Sequence, residues 1–355
     1  MKFGAVRTDE AAGCVLAHSI KLPGGALRKG TALDADALMR LAQAGIDSVI
    51  VAQLDDADVG ENEAAACIAL VLAGEDVEVG LASTGRVNLH AKTGGVLQLD
   101  ASRVSAANSI DEGLTIATLP PDVPVRAGQM VATIKIIPYA VSGDALLAVM
   151  ERLQGLKPAL AVARWEGIRA RLVMTKLEST AAPVLTKMRR AVLQRLTPLG
   201  AVLDGEEAVT HDPQAIASAL IAASRQTPAP DLLLVSGIVA TVDRHDVVPE
   251  GIVQAGGRVL HAGMPVDPGN LLLLAELPGI EGQAVPVIGI PTCARSLKLN
   301  GFDFVLRRFA ARLPVASAHI MRMGVGGLLT EIQSRPMPRE AGDRDFKADN
   351  KGEQE

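Results

Sequence analysis

Residues 165–332 alternate short apolar runs with longer segments whose apolar residues recur at helical spacing. This alternation limits the possible folds more than any other feature of the chain. Strands that alternate with helices of about a dozen residues form right-handed strand–helix–strand units and a mostly parallel sheet. Both faces of such a sheet are covered, so we predict a three-layer α/β/α domain. The predicted strands are 169–174, 231–235, 258–261 and 286–290, and the predicted helices are 183–199, 213–224, 247–255 and 293–312.

The rest of the chain shows a different pattern of apolar residues. An amphipathic helix that ends at Gly45 leads into a strand, and further along the pattern changes to a period of two, with strands on both sides of a turn at Gly94 and Gly95. The sequence therefore predicts a mixed α+β segment (1–78), a β-rich domain (79–142), a linking helix (143–164), the α/β domain (165–332) and a disordered tail (333–355).

Composition and charge exclude several classes of function. Only 2% of the residues are aromatic, the net charge is −5 and no basic block is present, so nucleic acid is disfavoured as a partner and a small molecule is favoured. Cys14, Cys67 and Cys293 are too widely spaced for a disulfide framework or a zinc knuckle. The start lacks the apolar core of a signal peptide, and the longest apolar run is about half of a membrane span. We expect a cytoplasmic protein.

The stretch DLLLVSGIVATVDRHD, residues 231–246, runs from an apolar strand into a small-residue turn at Ser236 and Gly237. Thr241, Asp243 and Asp246 follow closely. In an α/β sheet, ligands bind beyond the carboxyl ends of the strands, where the N–H groups of helix N-termini attract anions. We therefore predict a ligand-binding loop here, although Asp246 also suits the N-cap of the next helix. His18, His90, His211, His261 and His319 show no metal-ligand spacing and are assigned to structure or surface. His245 is expected to be an exposed loop residue, with a contact to the ligand left open.

Two further loops are expected at the same edge of the sheet. One is a Pro-Gly turn, and the other follows an apolar strand and leads into the predicted helix 293–312. Arg295 and Lys298 would lie in the first turn of that helix, where the helix dipole disfavours cations, and this favours a bound anion nearby. The candidate binding residues of the two loops are Asp267, Pro268, Gly269, Asn270, Pro291, Thr292, Arg295, Ser296 and Lys298.

The order of these motifs resembles a known family. The chain contains, in this order, an apolar strand, Ser-Gly-x-Val, Asp-x-x-Asp, Gly-Gly, Met-Pro-Val-x-Pro-Gly and Gly-Ile-Pro-x-x-x-x-Ser. This order is similar, over residues 165–315, to the molybdopterin-binding domain shared by molybdopterin molybdenumtransferase and molybdopterin adenylyltransferase. It also resembles the molybdopterin-binding half of two-part bacterial proteins that carry a nucleotidyltransferase domain.

The resemblance implies a ligand and roles for single residues. The ligand would be molybdopterin or the molybdenum cofactor, accompanied by Mg²⁺, and the protein would be a homodimer that works with a nucleotidyltransferase or a molybdoenzyme. Asp243 matches an acidic position and would be both the catalytic residue and the metal ligand. The other matched positions are Ser236 and Gly237 in the phosphate-facing turn, Pro268 and Gly269 in the second loop, and Pro291 and Ser296 in the third.

The chain also departs from the family pattern. Ile238 replaces the second glycine of the first turn, and Asp267 and Asn270 stand where the molybdenumtransferase has lysines. These changes favour a module that binds the pterin for cofactor biosynthesis, maturation or delivery to molybdoenzymes. The retained Asp243 keeps open a Mg²⁺-dependent molybdenum insertase or nucleotidyl-transfer enzyme. A third hypothesis is a sugar-binding or coenzyme-binding α/β protein unrelated to molybdenum.

Overall fold

A computed structural model of the chain describes residues 1–279 and 282–329. The chain divides into two compact units, Met1–Trp165 and Glu166–Glu355. The predicted disordered tail, 333–355, lies outside the described residues. No helix among the described residues is long and apolar enough to cross a membrane.

The first unit contains fourteen strands and four α-helices within its described residues, with a short 3₁₀ helix at Thr8–Glu10. The strands are β1 (Lys2–Arg7), β2 (Val15–Leu16), β3 (Ile20–Leu22), β4 (Gly25–Leu27), β5 (Ser48–Gln53), β6 (Asp58–Gly60), β7 (Val77–Val79), β8 (Arg86–Ala91), β9 (Gly95–Leu99), β10 (Leu114–Thr118), β11 (Pro124–Val125), β12 (Met130–Ile136), β13 (Ala140–Ser142) and β14 (Leu160–Arg164). The helices are α1 (Ala35–Gln43), α2 (Glu61–Leu72), α3 (Ala101–Asn108) and α4 (Gly143–Leu153).

The strands of the first unit belong to several small sheets. β8 pairs with β7 and β12, whereas β9 pairs with β11 and β14, so the two strands on either side of Gly94 enter different sheets. Gly95 pairs with Arg164, and a Cβ atom on Gly95 would overlap the carbonyl oxygen of Ala163. This glycine therefore allows β14 to approach closely. Within the predicted linking helix, 143–164, α4 covers only the first eleven residues and strand β14 covers the last five. α4 contributes Leu146 to a buried apolar cluster of this unit.

The second unit contains six strands and five α-helices within its described residues, together with 3₁₀ helices at Thr197–Leu199 and Thr292–Arg295. The strands are β15 (Arg169–Lys176), β16 (Val202–Thr210), β17 (Leu232–Ser236), β18 (Arg258–Ala262), β19 (Leu273–Pro278) and β20 (Ala284–Gly289). The helices are α5 (Ala182–Leu196), α6 (Pro213–Ser224), α7 (Val247–Gln254), α8 (Gly301–Ala310) and α9 (Ser317–Arg322).

One mixed sheet organises the second unit, in the order β16-β15-β17-β20-β19-β18. The four strands β16, β15, β17 and β20 are parallel, and β19 is antiparallel to both of its neighbours. The central strand β17 is buried along its whole length, as its apolar sequence predicts. Ile216 of α6 and Ile252 of α7 are fully buried in a cluster that also contains Leu233 of β17. This part of the chain is thus a mixed α/β fold.

The predicted helix 293–312 is wrong over its first eight residues. A 3₁₀ helix occupies Thr292–Arg295, the chain is extended at Ser296, and α8 begins only at Gly301. The reason is a capping box, because the side chain of Asn300 accepts a hydrogen bond from the amide of Phe302 while Asp303 accepts one from the amide of Asn300. Arg295 and Lys298 therefore do not lie in the first turn of an α-helix, and the expectation built on the helix dipole does not apply to them.

Two strands of the sheet are absent from the sequence prediction. β16 is an edge strand without a fully buried residue, and its sequence VLDGEEAVT lacks the apolar signal of a core strand. β19 lies within the apolar run that follows the predicted Pro-Gly turn, and its reversed direction is set by pairing with β20. Both segments are strands because they form backbone hydrogen bonds with neighbouring strands, β16 with β15 and β19 with β18 and β20.

Candidate functional site

The pairing of the strands brings three loops to one edge of the sheet. Val235 near the end of β17 pairs with Gly289 at the end of β20, and Gly289 also pairs with Leu273 at the start of β19. The segments 237–246, 263–272 and 290–300, which we call loops 1, 2 and 3, therefore leave the sheet at this edge. The parallel strands β15 and β16 end here as well, where Lys176 pairs with Thr210. We call this side the carboxyl edge.

Loop 1 begins with a turn that is held from two sides. Ser236 and Gly237 are buried, and the amide of Ile238 donates to the hydroxyl oxygen of Thr175 over 2.7 Å. From the opposite side, Nη2 of Arg295 donates to the carbonyl oxygens of Gly237 (2.6 Å) and Ile238 (2.8 Å). Loops 1 and 3 are therefore connected directly, and the peptide units of the turn have a fixed orientation.

The next part of loop 1 presents backbone donors. The amides of Val239, Ala240 and Thr241 have no hydrogen-bond acceptor among residues 1–279 and 282–329. Side chains here are half-buried at Thr241 and exposed at Val239. A run of successive backbone N–H groups without protein acceptors is a typical environment for an anion.

The two acidic candidates of loop 1 have different surroundings. Asp246 caps α7, accepting from the amides of Val247 (2.8 Å) and Val242 (3.1 Å). Asp243 is exposed and accepts from the amide of His245 (2.8 Å) and contacts the Nδ1 atom of that residue (3.0 Å). These hydrogen bonds lower the pKa of Asp243. Within the described chain, no group of three or more His, Cys, Asp or Glu side chains is arranged to hold a metal ion.

Loop 3 carries a cation without an acidic partner. Arg295 is half-buried, its Nε atom is buried without an acceptor, and no carboxylate among the described residues forms an ion pair with it. Burial lowers the pKa of this guanidinium, although it stays charged at neutral pH. In the same loop Pro291 is buried, Thr292 and Ser296 are half-buried, and Lys298 is exposed. Loop 3 thus contributes a desolvated positive charge to the carboxyl edge.

Arg195 of α5 determines the shape of loop 3. Its buried guanidinium donates to the carbonyl oxygens of Ala294 (2.8 Å), Ser296 (2.8 Å) and Lys298 (3.2 Å) and forms an ion pair with Asp303 (2.7 Å). Arg195 was not among the sequence candidates, because an arginine within an amphipathic helix is indistinguishable in sequence from a solvated charge.

Loop 2 packs against the start of α8. The carbonyl oxygen of Pro268 accepts from the amide of Gly301 (2.8 Å), and Gly269 has a φ of 142° with no room for a Cβ atom, because such an atom would lie 2.7 Å from that same amide nitrogen. Asp267 is half-buried and pairs through its backbone with residues 327 and 329. Asn270 is exposed, and its side chain makes a long contact, 3.4 Å, to the carbonyl oxygen of Met264. Loop 2 is thus joined to the segment that follows loop 3.

Two residues at this edge were not among the sequence candidates. Thr175 is fully buried near the end of β15, and its hydroxyl lies 2.9 Å from the Nδ1 atom of His211, the residue after β16. Burial lowers the pKa of His211, and the carboxylate of Asp246 acts in the opposite direction. A polar residue directly after the apolar run 172–174 was the available signal for Thr175. His211 had none, because β16 was not recognised.

Comparisons with known proteins give one family match and several distant structural likenesses. Residues 5–53 match a family model described as a domain of unknown function (DUF8806), which does not include the three loops. No curated protein matches the chain. The chain is similar to the crystal structure of molybdenum cofactor biosynthesis protein B, with 15% identity and a TM-score of 0.29, over 41% of this chain and 96% of that one.

Two further solved structures are similar at the same level. One is a putative molybdenum cofactor biosynthesis protein from Corynebacterium diphtheriae, with 14% identity and a TM-score of 0.27, covering 46% of this chain and 99% of that chain. The other is a molybdopterin biosynthesis protein from Mycobacterium abscessus, with 18% identity and a TM-score of 0.25, covering 41% and 92%. At these TM-scores the likenesses carry no argument about function.

Proposed function

We propose that the carboxyl edge of the second unit, treated as a three-layer molybdopterin-binding-like domain, binds the phosphate-bearing pterin molybdopterin or the molybdenum cofactor. In this proposal the protein is a binding module for cofactor biosynthesis, maturation or delivery to a molybdoenzyme. The observation that carries it is the half-buried guanidinium of Arg295, which has no acidic partner within the described chain and lies beside a turn with unpaired backbone amides.

A buried charge without an opposite charge is costly unless a ligand supplies one, and an anion near Arg295 would supply it. The phosphate of the pterin provides acceptor oxygens both for this cation and for the amides of Val239, Ala240 and Thr241. Ser236 is buried at the base of the turn, while Thr241 and Ser296 offer half-buried hydroxyls. The motif order that resembles the molybdopterin-binding family supports the pterin as the rest of the ligand.

The donor set does not fit a bound Mg²⁺ ion. Magnesium prefers an octahedron of oxygen ligands that includes carboxylates. Asp243 is exposed and bonded to its own loop, Asp246 caps a helix, and no metal-binding group of side chains exists within the described residues. We therefore derive no step through a metal, and binding is favoured over an insertase or a nucleotidyl-transfer enzyme.

The test is a titration of the full chain with molybdopterin, followed by pterin fluorescence. We expect saturable binding by the native chain and a loss of about tenfold or more in affinity for Arg295→Met. The substitution removes the cation and the two hydrogen bonds that Arg295 donates to the carbonyl oxygens of Gly237 and Ile238. Arg190→Met, which removes an exposed arginine from α5, is the matched control and should bind normally. A native chain that does not bind molybdopterin, or an Arg295→Met variant that binds as tightly as the control, would contradict the proposal.

A second titration separates carrier from enzyme. The loaded protein is mixed with Mg²⁺, molybdate, ATP and CTP, and the pterin is analysed for transferred groups. A carrier returns the pterin unchanged, whereas adenylylated, cytidylylated or molybdenum-loaded product would restore the enzymatic alternative.

A further inference from the structure

Thr175 is a buried hydroxyl with two partners, and their chemistry fixes where its hydrogen points. The amide of Ile238 can only donate, so the oxygen of Thr175 accepts this hydrogen bond over 2.7 Å. The remaining neighbour is Nδ1 of His211 at 2.9 Å. If Nδ1 carried the hydrogen, the hydroxyl would accept twice and its own hydrogen would need another acceptor. The fully buried Thr175 has no third partner within the described chain.

The hydroxyl hydrogen therefore points to Nδ1 of His211, and the ring hydrogen is at Nε2. An unpaired buried hydroxyl hydrogen costs free energy, which disfavours the alternative tautomer. The backbone amide of His211 donates to the carbonyl oxygen of Lys176 over 2.9 Å, so the residue is fixed to the end of β15. The charged group that acts on the ring is the carboxylate of Asp246 at the N-cap of α7, and burial outweighs it and lowers the pKa of His211, which favours the neutral ring.

The Nε2–H group of His211 has no acceptor within the described residues, although it lies at the carboxyl edge. A neutral imidazole in this state is a directional hydrogen-bond donor that adds no charge. Arg295 approaches the turn from β20, whereas His211 lies on the side of β15 and β16. A ligand seated on loop 1 would thus meet a cation on one side and a neutral donor on the other.

We propose that His211 is a ligand-binding residue of this site, donating from Nε2 to an acceptor oxygen of the bound pterin phosphate, and that Thr175 is the positioning residue that holds it in this tautomer. This inference deepens the proposed function and rests on it for the identity of the ligand. Thr175 then has two roles, because the hydroxyl that holds the ring of His211 also orients the amide of Ile238 in the turn. A chain with the turn but without Thr175 or His211 would bind the phosphate less tightly.

The tautomer is tested without any ligand. Full-length protein labelled with ¹⁵N in its histidines is examined by NMR, and the His211 signals are assigned with His211→Asn. We expect a ring with an unprotonated Nδ1 and a protonated Nε2. Thr175→Val removes the donor to Nδ1 and should raise the population of the Nδ1–H form, whereas Thr175→Ser keeps the hydroxyl and should retain the native tautomer. A His211 ring with a protonated Nδ1 in the native chain would overturn the inference.

The binding role is tested with molybdopterin as the probe. The His211→Asn variant can still accept from Thr175 at the position of Nδ1 but has no donor at Nε2, so the turn should persist while affinity falls about ten- to hundredfold. The exposed residue His18 provides the matched control, His18→Asn, which should bind like the native chain. Thermal unfolding of each variant verifies that it is folded, and Thr175→Ala, which also lacks the hydroxyl, replaces Thr175→Val if the latter does not fold.

The outcomes distinguish the two proposals. If native protein binds and His211→Asn binds equally tightly, the donor role is wrong while the proposed function stands. If the native protein does not bind molybdopterin, the proposed function fails and the donor role fails with it, whereas the NMR result still decides the tautomer.

Discussion

Arg195 and Arg295 both donate to backbone carbonyls at the carboxyl edge, but their electrostatic surroundings differ. Arg195 is paired with Asp303 and accepted by three loop carbonyls, so its burial is compensated within the protein. Among the described residues, Arg295 donates to two backbone carbonyls and forms no ion pair with a carboxylate. Arg195 therefore stabilises the conformation of loop 3, whereas Arg295 keeps a positive charge that an anionic ligand can neutralise.

Replacing Arg195 tests its structural role. We expect Arg195→Ala to lower the free energy of unfolding by about 3–5 kcal/mol, because Asp303 and the loop carbonyls lose a buried partner. The control is Arg189→Ala, which breaks the more exposed ion pair with Glu206 and should cost less than about 1 kcal/mol. Urea denaturation measures both values. Equal costs for the two variants would show that Arg195 does not hold loop 3.

The lowered pKa of His211 predicts a pH dependence of stability. The pKa in the folded chain lies below the ordinary histidine value of 6.5, so below that pH the unfolded chain takes up a proton more readily than the native state. The native chain therefore loses stability as the pH falls below 6.5, and above it this contribution is constant. His211→Asn has no such group. Hence the unfolding free energy of the native chain relative to the variant should decrease between about pH 7.5 and about pH 5.5. A difference that grows on acidification would contradict the neutral ring.

At the scale of elements, the strands, helices and loops at the carboxyl edge were partly predictable from the sequence. The strand that ends at Ser236 and helix α6 at Pro213–Ser224 were predicted closely, because burial patterns and caps are local signals. The start of α8 was not, because the 3₁₀ helix and the extended residues before it depend on hydrogen bonds from Arg195 in a distant helix. The secondary-structure propensities of nearby residues carry no information about a partner that is so distant in sequence.

Gly269 tests the packing of loop 2 on α8. An alanine there would place its Cβ atom 2.7 Å from the amide nitrogen of Gly301, a backbone atom that cannot move aside, at a positive φ. Gly256 also has a positive φ, 82°, but the nearest atom to a Cβ is 3.8 Å away. We expect Gly269→Ala to cost about 1–3 kcal/mol more than Gly256→Ala in urea denaturation. Similar costs would mean that the approach of loop 2 to α8 is not tight.

At the scale of the whole molecule, the described apolar clusters follow the division into two units. Two of them draw their members from residues up to Val162, and a third draws all of its members from the second unit. The carboxyl edge with its three loops is built only from second-unit residues. The ligand-binding capacity that we propose is therefore a property of the second unit.

A fragment of residues 166–355 should accordingly fold alone. We expect it to show a cooperative thermal transition and to bind molybdopterin with an affinity close to that of the full chain. Circular dichroism and the fluorescence titration provide the two measurements, and the same fragment with Arg295→Met is the control for specific binding. A fragment that folds but does not bind, beside a full chain that binds, would place part of the site in the first unit.

The sequence by itself determined the alternation of strands and helices in the second half of the chain, the buried strand β17, the turn at Ser236 and Gly237, and the cap at Asp246. These features follow from the spacing of apolar residues and from side chains that bond to their own neighbours. Only the tertiary structure decided that β16 is a strand, that Arg295 reaches the carbonyls of loop 1, and that Thr175 joins His211 to Ile238. Each of these contacts joins residues more than thirty positions apart, as in the 36 between Thr175 and His211. The strand order of the sheet brings these distant residues into contact, and no local sequence pattern specifies that order.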